Sequence, residues 1–372
     1  MAHIAIDARK YFDFGIGSYI QNLISDLPEL RSKHTYSLFV APQDLQRIEC
    51  PREWRKHSTR FKRYSLGELM LLGRQARSLG VDIFHEPHYT LPTGLKGRSV
   101  VTIHDLIHLK MPQFFSPAQR LYARTVIGHA VRHAGAVITI SQKTKNDVLE
   151  TFKVREQDVE VVHLGVRPIF RKLEDRTAVE RFLAAAGVKR PYVLYVGNVK
   201  PHKNIPTLLK AFAQVRTERD DLELVFVGGS CKDERSLFEQ AQRLGIIGAI
   251  RDLHHVSDDE LVYAYNGAEV LVLPSLYEGF GYPVLEAMAC GTPTVASTGG
   301  SLPEIAGIAS LTVDPLCPED LAQALLHVLR DPEMRRDLIA KGKINVQRFS
   351  WRATAGKTLD IYEKVLSRWR KN

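Results

Sequence analysis

The 372-residue chain has four cysteines, and none belongs to a CxxC pair. Cys50, Cys231, Cys290 and Cys317 lie far apart, so neither a disulfide framework nor a zinc site is suggested, and a reducing cytoplasm fits. No run reaches the roughly 18 apolar residues of a membrane-spanning helix. The amino terminus lacks the basic region and long apolar stretch of a secretory signal, because His3-Ile-Ala-Ile-Asp7 leads directly into a strand-like segment. Proline and glycine number only 18 and 25, while 44% of residues are hydrophobic and 25% charged. That balance excludes disorder and collagen-like order. Neither a GxxxxGK[ST] loop nor a recognisable nucleic-acid module is present. An Asp-x-Asp motif is also lacking, so no metal, no other cofactor and no nucleic-acid partner is expected.

The length is about two and a half times a single core of roughly 150 residues, which favours two domains and a cleft. Short β-rich runs alternate with helical patterns along the whole chain, as in parallel sheets covered by helices. Strands are expected at His3 to Asp7, Tyr36 to Val40, Val81 to His85, Val100 to His104, Ala136 to Ser141 and Val159 to Val162. The pattern breaks at Leu164-Gly-Val-Arg-Pro168 and restarts at Tyr192 to Val196. Further strands are expected near Leu222 to Val227, Val270 to Leu273, Thr294 to Ala296 and Leu311 to Val313. The fold class is therefore α/β, with two Rossmann-like doubly wound domains over 1–166 and 167–351 and a hinge near 165–170. A last helix over 352–372 is expected to pack back on the first domain.

Sheets of this kind bind ligands beyond the carboxyl ends of their strands. The run Gly197-Asn-Val-Lys-Pro-His-Lys-Asn204 follows one strand and precedes a helix at about Ile205. Lys203 and free backbone N–H groups there suit an anion, although an ordinary loop with exposed lysines reads the same way. The segment Leu273-Pro-Ser-Leu-Tyr-Glu-Gly-Phe-Gly-Tyr-Pro-Val-Leu-Glu286 is more specific. Pro283 fits the first helical position, which would aim the unpaired N–H groups of Val284 and Leu285 at a phosphate. Glu286, one turn into that helix, suits the adjacent hydroxyls of a ribose, and Glu278 on the loop suits a sugar beyond the diphosphate. In the first half, Phe14-Gly-Ile-Gly-Ser-Tyr19 lacks the third glycine of a dinucleotide fingerprint, but Gly15 and Gly17 allow close approach to a ligand. His104 ends a strand at the presumed cleft, where it can serve sugar hydroxyls or a structural bond.

With these segments the chain resembles the retaining glycosyltransferases of family four, of GT-B architecture with two domains facing a central cleft. The likeness is greatest to the mannosyltransferase branch of bacterial polysaccharide synthesis, O-antigen included. The resemblance implies that Lys203 contacts the donor diphosphate, and that Glu278, Gly279 and the Phe280-Gly281-Tyr282 backbone hold the donor sugar. Glu286 would bind the ribose, His104 would line the reaction centre, and Gly15, Gly17, Gly197 and Asn198 would border the donor. The His255-Val256-Ser-Asp258 run looks like the nucleobase edge, with Asp258 accepting from guanine. Many members carry Arg where Asn198 stands, which leaves more of the phosphate charge to Lys203. GDP-mannose is the expected donor, a UDP-sugar or other GDP-sugar the runner-up, and a nucleotide-sugar epimerase the alternative from another class.

Net charge is +9, and most of it falls before residue 166, where 23 Lys and Arg face 16 Asp and Glu. The densest cluster is Arg52, Arg55, Lys56, Arg60, Lys62 and Arg63, with Trp54 and Phe61 interleaved. It reads as a solvated surface or as an anionic bilayer interface. A glycan or polyprenyl-diphosphate-linked acceptor held by the first domain at the inner membrane face is the corresponding expectation.

Overall fold

The computed structural model describes residues 1–13 and 15–370. Phe14 and the last two residues of the expected C-terminal helix lie outside them. The chain separates into one unit of residues 1–165 with 349 onward, and a second unit Val166–Arg348.

In the first unit seven parallel strands form a sheet: β1 (His3–Asp7), β2 (Thr35–Val40), β3 (Arg55–Ser58), β4 (Ile83–Glu86), β5 (Ser99–Ile103), β6 (Ala136–Thr139) and β7 (Val159–Val161). Their order is β3-β2-β1-β4-β5-β6-β7. Ile4, Ala5, Ile6, Val100, Val101 and Ile103 are fully buried, which explains the continuous apolar runs: helices cover both faces, so no strand face is left for water. The strand order reverses between β1 and β4, and that reversal opens a crevice at their carboxyl ends. Helix Trp351–Trp369 completes this unit. Its Tyr362 hydroxyl shares a 2.6 Å hydrogen bond with His85 Nδ1, and Thr354 donates to the His163 carbonyl at 2.7 Å. A side chain at Gly165 would overlap the Trp351 backbone, so only glycine admits this helix so close.

The second unit holds β8 (Tyr192–Gly197), β9 (Glu223–Gly228), β10 (Ile250–Asp252), β11 (Val270–Leu273), β12 (Thr294–Ser297) and β13 (Leu311–Val313). The order is β10-β9-β8-β11-β12-β13. Its reversal falls between β8 and β11, so the two loops singled out in the sequence leave adjacent strands at the ligand-binding edge.

β3 and β10 are strands that the sequence pattern does not announce. Both are sheet edges, short and charged, reading Arg-Lys-His-Ser and Ile-Arg-Asp. Edge strands carry such charges because one side meets water and must not recruit another chain. β3 also fixes the place of the two aromatics in the basic cluster. Trp54 is buried and stacks on Tyr36 with ring centroids 4.6 Å apart, and Phe61 packs against the core around Phe39 and Phe84. Lys56 donates to the Leu45 and Ile48 carbonyls. The aromatics therefore serve the core rather than a bilayer interface.

Candidate functional site

In the second unit, two loops are laid together by backbone and side-chain bonds. Gly197 ends β8 at φ 147° beside its partner Gly228, and a side chain on the next residue, Gly229, would press on Asn198 Cα at 3.0 Å. Asn198 itself is exposed, its carbonyl accepting from the Tyr195 hydroxyl at 2.6 Å. A single turn, Pro201–Lys203, then leads to Asn204 at φ 59°. The buried Asn204 amide donates to the carbonyls of Pro274 and Pro315, at 3.0 and 2.6 Å. The Leu276 N–H donates to the His202 carbonyl at 2.8 Å. These ties place Lys203 Nζ 2.7 Å from Glu278 Oε1, which also accepts from Ser275 Oγ at 2.6 Å.

The Glu278 loop is held from below by Ser301, whose N–H and hydroxyl donate to the Glu278 carbonyl at 3.0 and 3.1 Å. The same hydroxyl lies 3.0 Å from the Phe280 carbonyl. Side chains on Gly299 and Gly300 would overlap the Ser275 and Glu278 backbone, so two glycines let this support come close. Gly279 is half-buried and Phe280 buried, with the Phe280 ring 5.3 Å edge-on from Tyr282. Gly281, at φ 105°, caps helix Tyr282–Ala289. The helix begins one residue before the expected start, so Pro283 is its second residue. Val284 corrects the sequence reading: its N–H donates to the Gly281 carbonyl at 3.1 Å and is not an unpaired anion donor. Val284 and Leu285 bury their side chains completely.

Glu286 stands half-buried on this helix, with Oε2 accepting from the Tyr265 hydroxyl at 2.7 Å. Burial pushes its carboxyl up to about 7, against the pull of that bond and of Arg167. Asp258 opens helix Asp258–Gly267, after a capping box between Ser257 and Glu260. Val256 sits half-buried just before it. The expected guanine acceptor is already engaged, because Arg167 forks onto Asp258 with bonds of 2.6 and 2.7 Å. The fork's hydrogen bonds hold the Asp258 carboxyl below its ordinary range.

The first unit presents His104 just past β5. Its Nε2 lies 2.9 Å from the Pro87 carbonyl, which can only accept, so Nε2 carries the proton and Nδ1 is the acceptor nitrogen. Burial holds the ring neutral, outweighing the bond to Pro87. Gly15 caps helix Ile16–Asp26 at φ 66°, and among the described residues none beyond its immediate neighbours comes within 4 Å of where its side chain would be. Gly17 differs, since a side chain there would overlap the Tyr11 carbonyl. Its missing side chain is taken up by the chain itself, not by a ligand. At the β1/β4 crevice, Arg9 pairs with both Asp7 and Glu68, all three buried. Asp7, Glu68 and Glu86 have metal-like spacing, but the Arg9 guanidinium supplies the positive charge among them. Burial and Asp7 raise the Glu86 carboxyl well above its ordinary range.

The family description for glycosyl transferases group 1 matches residues 179–345, and that for glycosyltransferase family 4 matches residues 15–169. The chain belongs to the family-four glycosyltransferases. The Escherichia coli O-antigen chain mannosyltransferase B is 29% identical to this glycosyltransferase, over 76% of the chain and 74% of that protein. The MMP alpha-(1->4)-mannosyltransferase of Mycolicibacterium hassiacum is 35% identical, over 64% of the chain and 56% of its own length. The sucrose-phosphate synthase of Thermosynechococcus elongatus superposes with a TM-score of 0.80 at 23% identity, covering 99% of this chain and all of that one. WaaG, a glycosyltransferase involved in lipopolysaccharide biosynthesis, gives 0.77 at 16%, over 96% and 99%. These likenesses establish the GT-B fold. The family is one of transferases, so the epimerase alternative is set aside.

Four residues that support the candidate site escape a reading by motif: Arg167, Tyr265, Gly300 and Ser301. The Gly299-Gly300 pair after a strand was a visible signal. The others become site residues only through partners 21 to 91 positions away.

Proposed function

We propose that this glycosyltransferase moves a hexosyl group, mannose from GDP-mannose, to a glycan or polyprenyl-diphosphate-linked acceptor with retention of configuration. The observation that carries the reading is the joined pair Lys203–Glu278 at the β8/β11 reversal, with Glu286 one turn into the next helix. When the sugar leaves a nucleotide diphosphate, negative charge grows on phosphate. The Lys203 ammonium and the start of helix Tyr282–Ala289 stabilise it where it develops, and no metal is invoked. Glu278 takes hydroxyls of the donor sugar, and Glu286 those of the ribose. No side chain is assigned as a covalent nucleophile. The departing phosphate takes the acceptor proton, and His104 Nδ1 accepts from a sugar hydroxyl.

The mannosyl assignment is supported by the mannosyltransferase relatives. A UDP-sugar is the second reading, favoured by one observation: Asp258, assigned to guanine, is occupied by Arg167. For the acceptor, the support is an exposed apolar patch in the first unit. Leu66, Met70 and Leu71 are 80%, 62% and 42% exposed, and exposed Lys62, Arg63 and Arg74 adjoin them in sequence. Apolar side chains edged by cations suit an anionic lipid surface, which would place the enzyme on the cytoplasmic membrane face. No helix among the described residues is long and apolar enough to cross a membrane. Thermal shifts with GDP, GDP-mannose, UDP and UDP-glucose at equal concentration test the donor, because a ligand that binds the folded state stabilises it more the tighter it binds. The guanine nucleotides are expected to rank first, and the reverse ranking selects the UDP-sugar reading.

A further inference from the structure

The segment that opens the second unit, Val166–Phe170, reaches the same helix that supports Glu286. Arg167 forks onto Asp258 at the start of helix Asp258–Gly267 with bonds of 2.6 and 2.7 Å. Its guanidinium lies over the Phe170 ring, 5.0 Å from the centroid. Phe170 in turn meets Tyr265 edge-on at 5.9 Å, and the Tyr265 hydroxyl donates to Glu286 Oε2 at 2.7 Å. Asp258, Arg167, Phe170, Tyr265 and Glu286 thus form one contiguous chain of contacts. We propose that Arg167 is a positioning residue of the donor site: anchored by Asp258 and Phe170, it seats Tyr265 against Glu286 and supplies the cation that faces the Glu286 carboxylate. The inference rests on Glu286 as the ribose-binding group.

The charges around Glu286 are few. Its own helix carries Tyr282, whose hydroxyl acts on Arg167, and ends at the Cys290 thiol, which burial pushes up to about 12 and so keeps neutral. Helix Asp258–Gly267 brings the Asp258 carboxylate and the Tyr265 hydroxyl, which burial keeps protonated. The Val166–Phe170 segment brings Arg167, the cation in that set. Burial and Asp258 raise the Glu286 carboxyl, while Tyr265 and Arg167 lower it. A ribose diol is held best by a charged carboxylate, since two acceptor oxygens are then available for two hydroxyls. Removing Arg167 takes away an opposing charge and leaves Asp258 unneutralised, so both changes drive Glu286 toward its protonated form.

The test has two readouts on the full-length chain. The Glu286 carboxyl is titrated by NMR in protein labelled with ¹³C at glutamate carboxyls, assigned with Glu286→Gln. Arg167→Gln is expected to move its midpoint upward by about one unit or more, the scale of losing a nearby opposite charge. Arg167→Lys, which keeps charge but not the fork, is expected to hold the midpoint near the wild-type value. Calorimetry with GDP and UDP from pH 6 to 8.5 then gives the second readout. Arg167→Gln shifts the acidic loss of nucleotide affinity to higher pH, and Arg167→Lys weakens affinity at every pH without shifting the profile. An unmoved Glu286 midpoint in Arg167→Gln overturns the proposal. If that variant does not fold, an Arg167→Lys protein with wild-type nucleotide affinity overturns it instead. Normal nucleotide binding by Glu286→Gln is a separate failure, that of the ribose reading, and leaves the NMR comparison decisive for the effect of Arg167 on Glu286.

Discussion

Lys203 Nζ and Glu278 Oε1 are 2.7 Å apart, although 75 positions separate them in the chain. Both are largely shielded from water, at 15% and 12% side-chain exposure, so the pair is stronger than a surface contact. The lysine is held already oriented, and an anion that binds there must share it with the glutamate. Lys203→Ala should lower kcat by about 10²-fold or more, the scale of one lost electrostatic donor. Steady-state kinetics with saturating donor decide this, and near-normal turnover would remove the phosphate role.

The second expectation concerns pH. With the Glu286 carboxyl at about 7, its charged form dominates above that pH and is lost below it. Nucleotide affinity should therefore weaken as pH falls from 8 to 6. Stability has the opposite sign: the folded state holds this proton to higher pH than the unfolded chain, so Glu286 contributes stability at acid pH that is lost as pH rises through about 7. Calorimetric binding curves of the wild type and Glu286→Gln check the first part, because the glutamine variant should bind weakly and without this pH dependence.

Gly300 has φ 65°, and a side chain there would overlap the Glu278 backbone. Gly300→Ala should displace the Ser301 support of the Glu278 loop and reduce donor affinity at least tenfold, about 1.4 kcal/mol. Gly15→Ala faces open space and carries only the backbone cost of a positive φ, about 1 kcal/mol. Thermal shift and nucleotide titration of the two variants side by side separate loop displacement from backbone strain. Equal behaviour would show that the crowding at Gly300 is relieved without moving Glu278.

Arg9 balances Asp7 and Glu68 in the interior of the first unit. Removing one partner of a buried ion pair strands the others, so Arg9→Met should cost about 3–5 kcal/mol. Urea unfolding followed by a probe in the first unit measures it. A loss below 1 kcal/mol would mean that the carboxyl groups take up protons and need no cation.

For the acceptor reading, Leu66→Asp with Met70→Asp should reduce binding to vesicles containing phosphatidylglycerol at low salt, leaving nucleotide binding unchanged. Neutralising Arg52, Arg55, Arg60, Lys62 and Arg63 should have the same effect, at roughly 1 kcal/mol for each cation close to the surface. Vesicle co-sedimentation reads both. Wild-type protein that ignores such vesicles would point to a water-soluble acceptor.

The parallel α/β organisation was legible in the sequence because buried parallel strands are apolar throughout and recur between helical segments. The segments bearing Lys203, Glu278 and Glu286 were legible for a related reason: strand ends, glycines and helix starts are local features, and ligands bind where they coincide. Local pattern is silent about partners distant in the chain. That Lys203 pairs with Glu278, that Arg167 occupies Asp258 and that Tyr265 holds Glu286 follow from which strands become neighbours. The same limit applies to Trp54, which stands in a basic run yet turns inward because Arg55–Ser58 adds to the edge of the sheet and brings Tyr36 beneath it. Residue types and their spacing set the chemistry available at each strand end, whereas the sheet order chose which of those groups meet, since hydrogen-bonded strands bring together side chains that no short window of sequence contains.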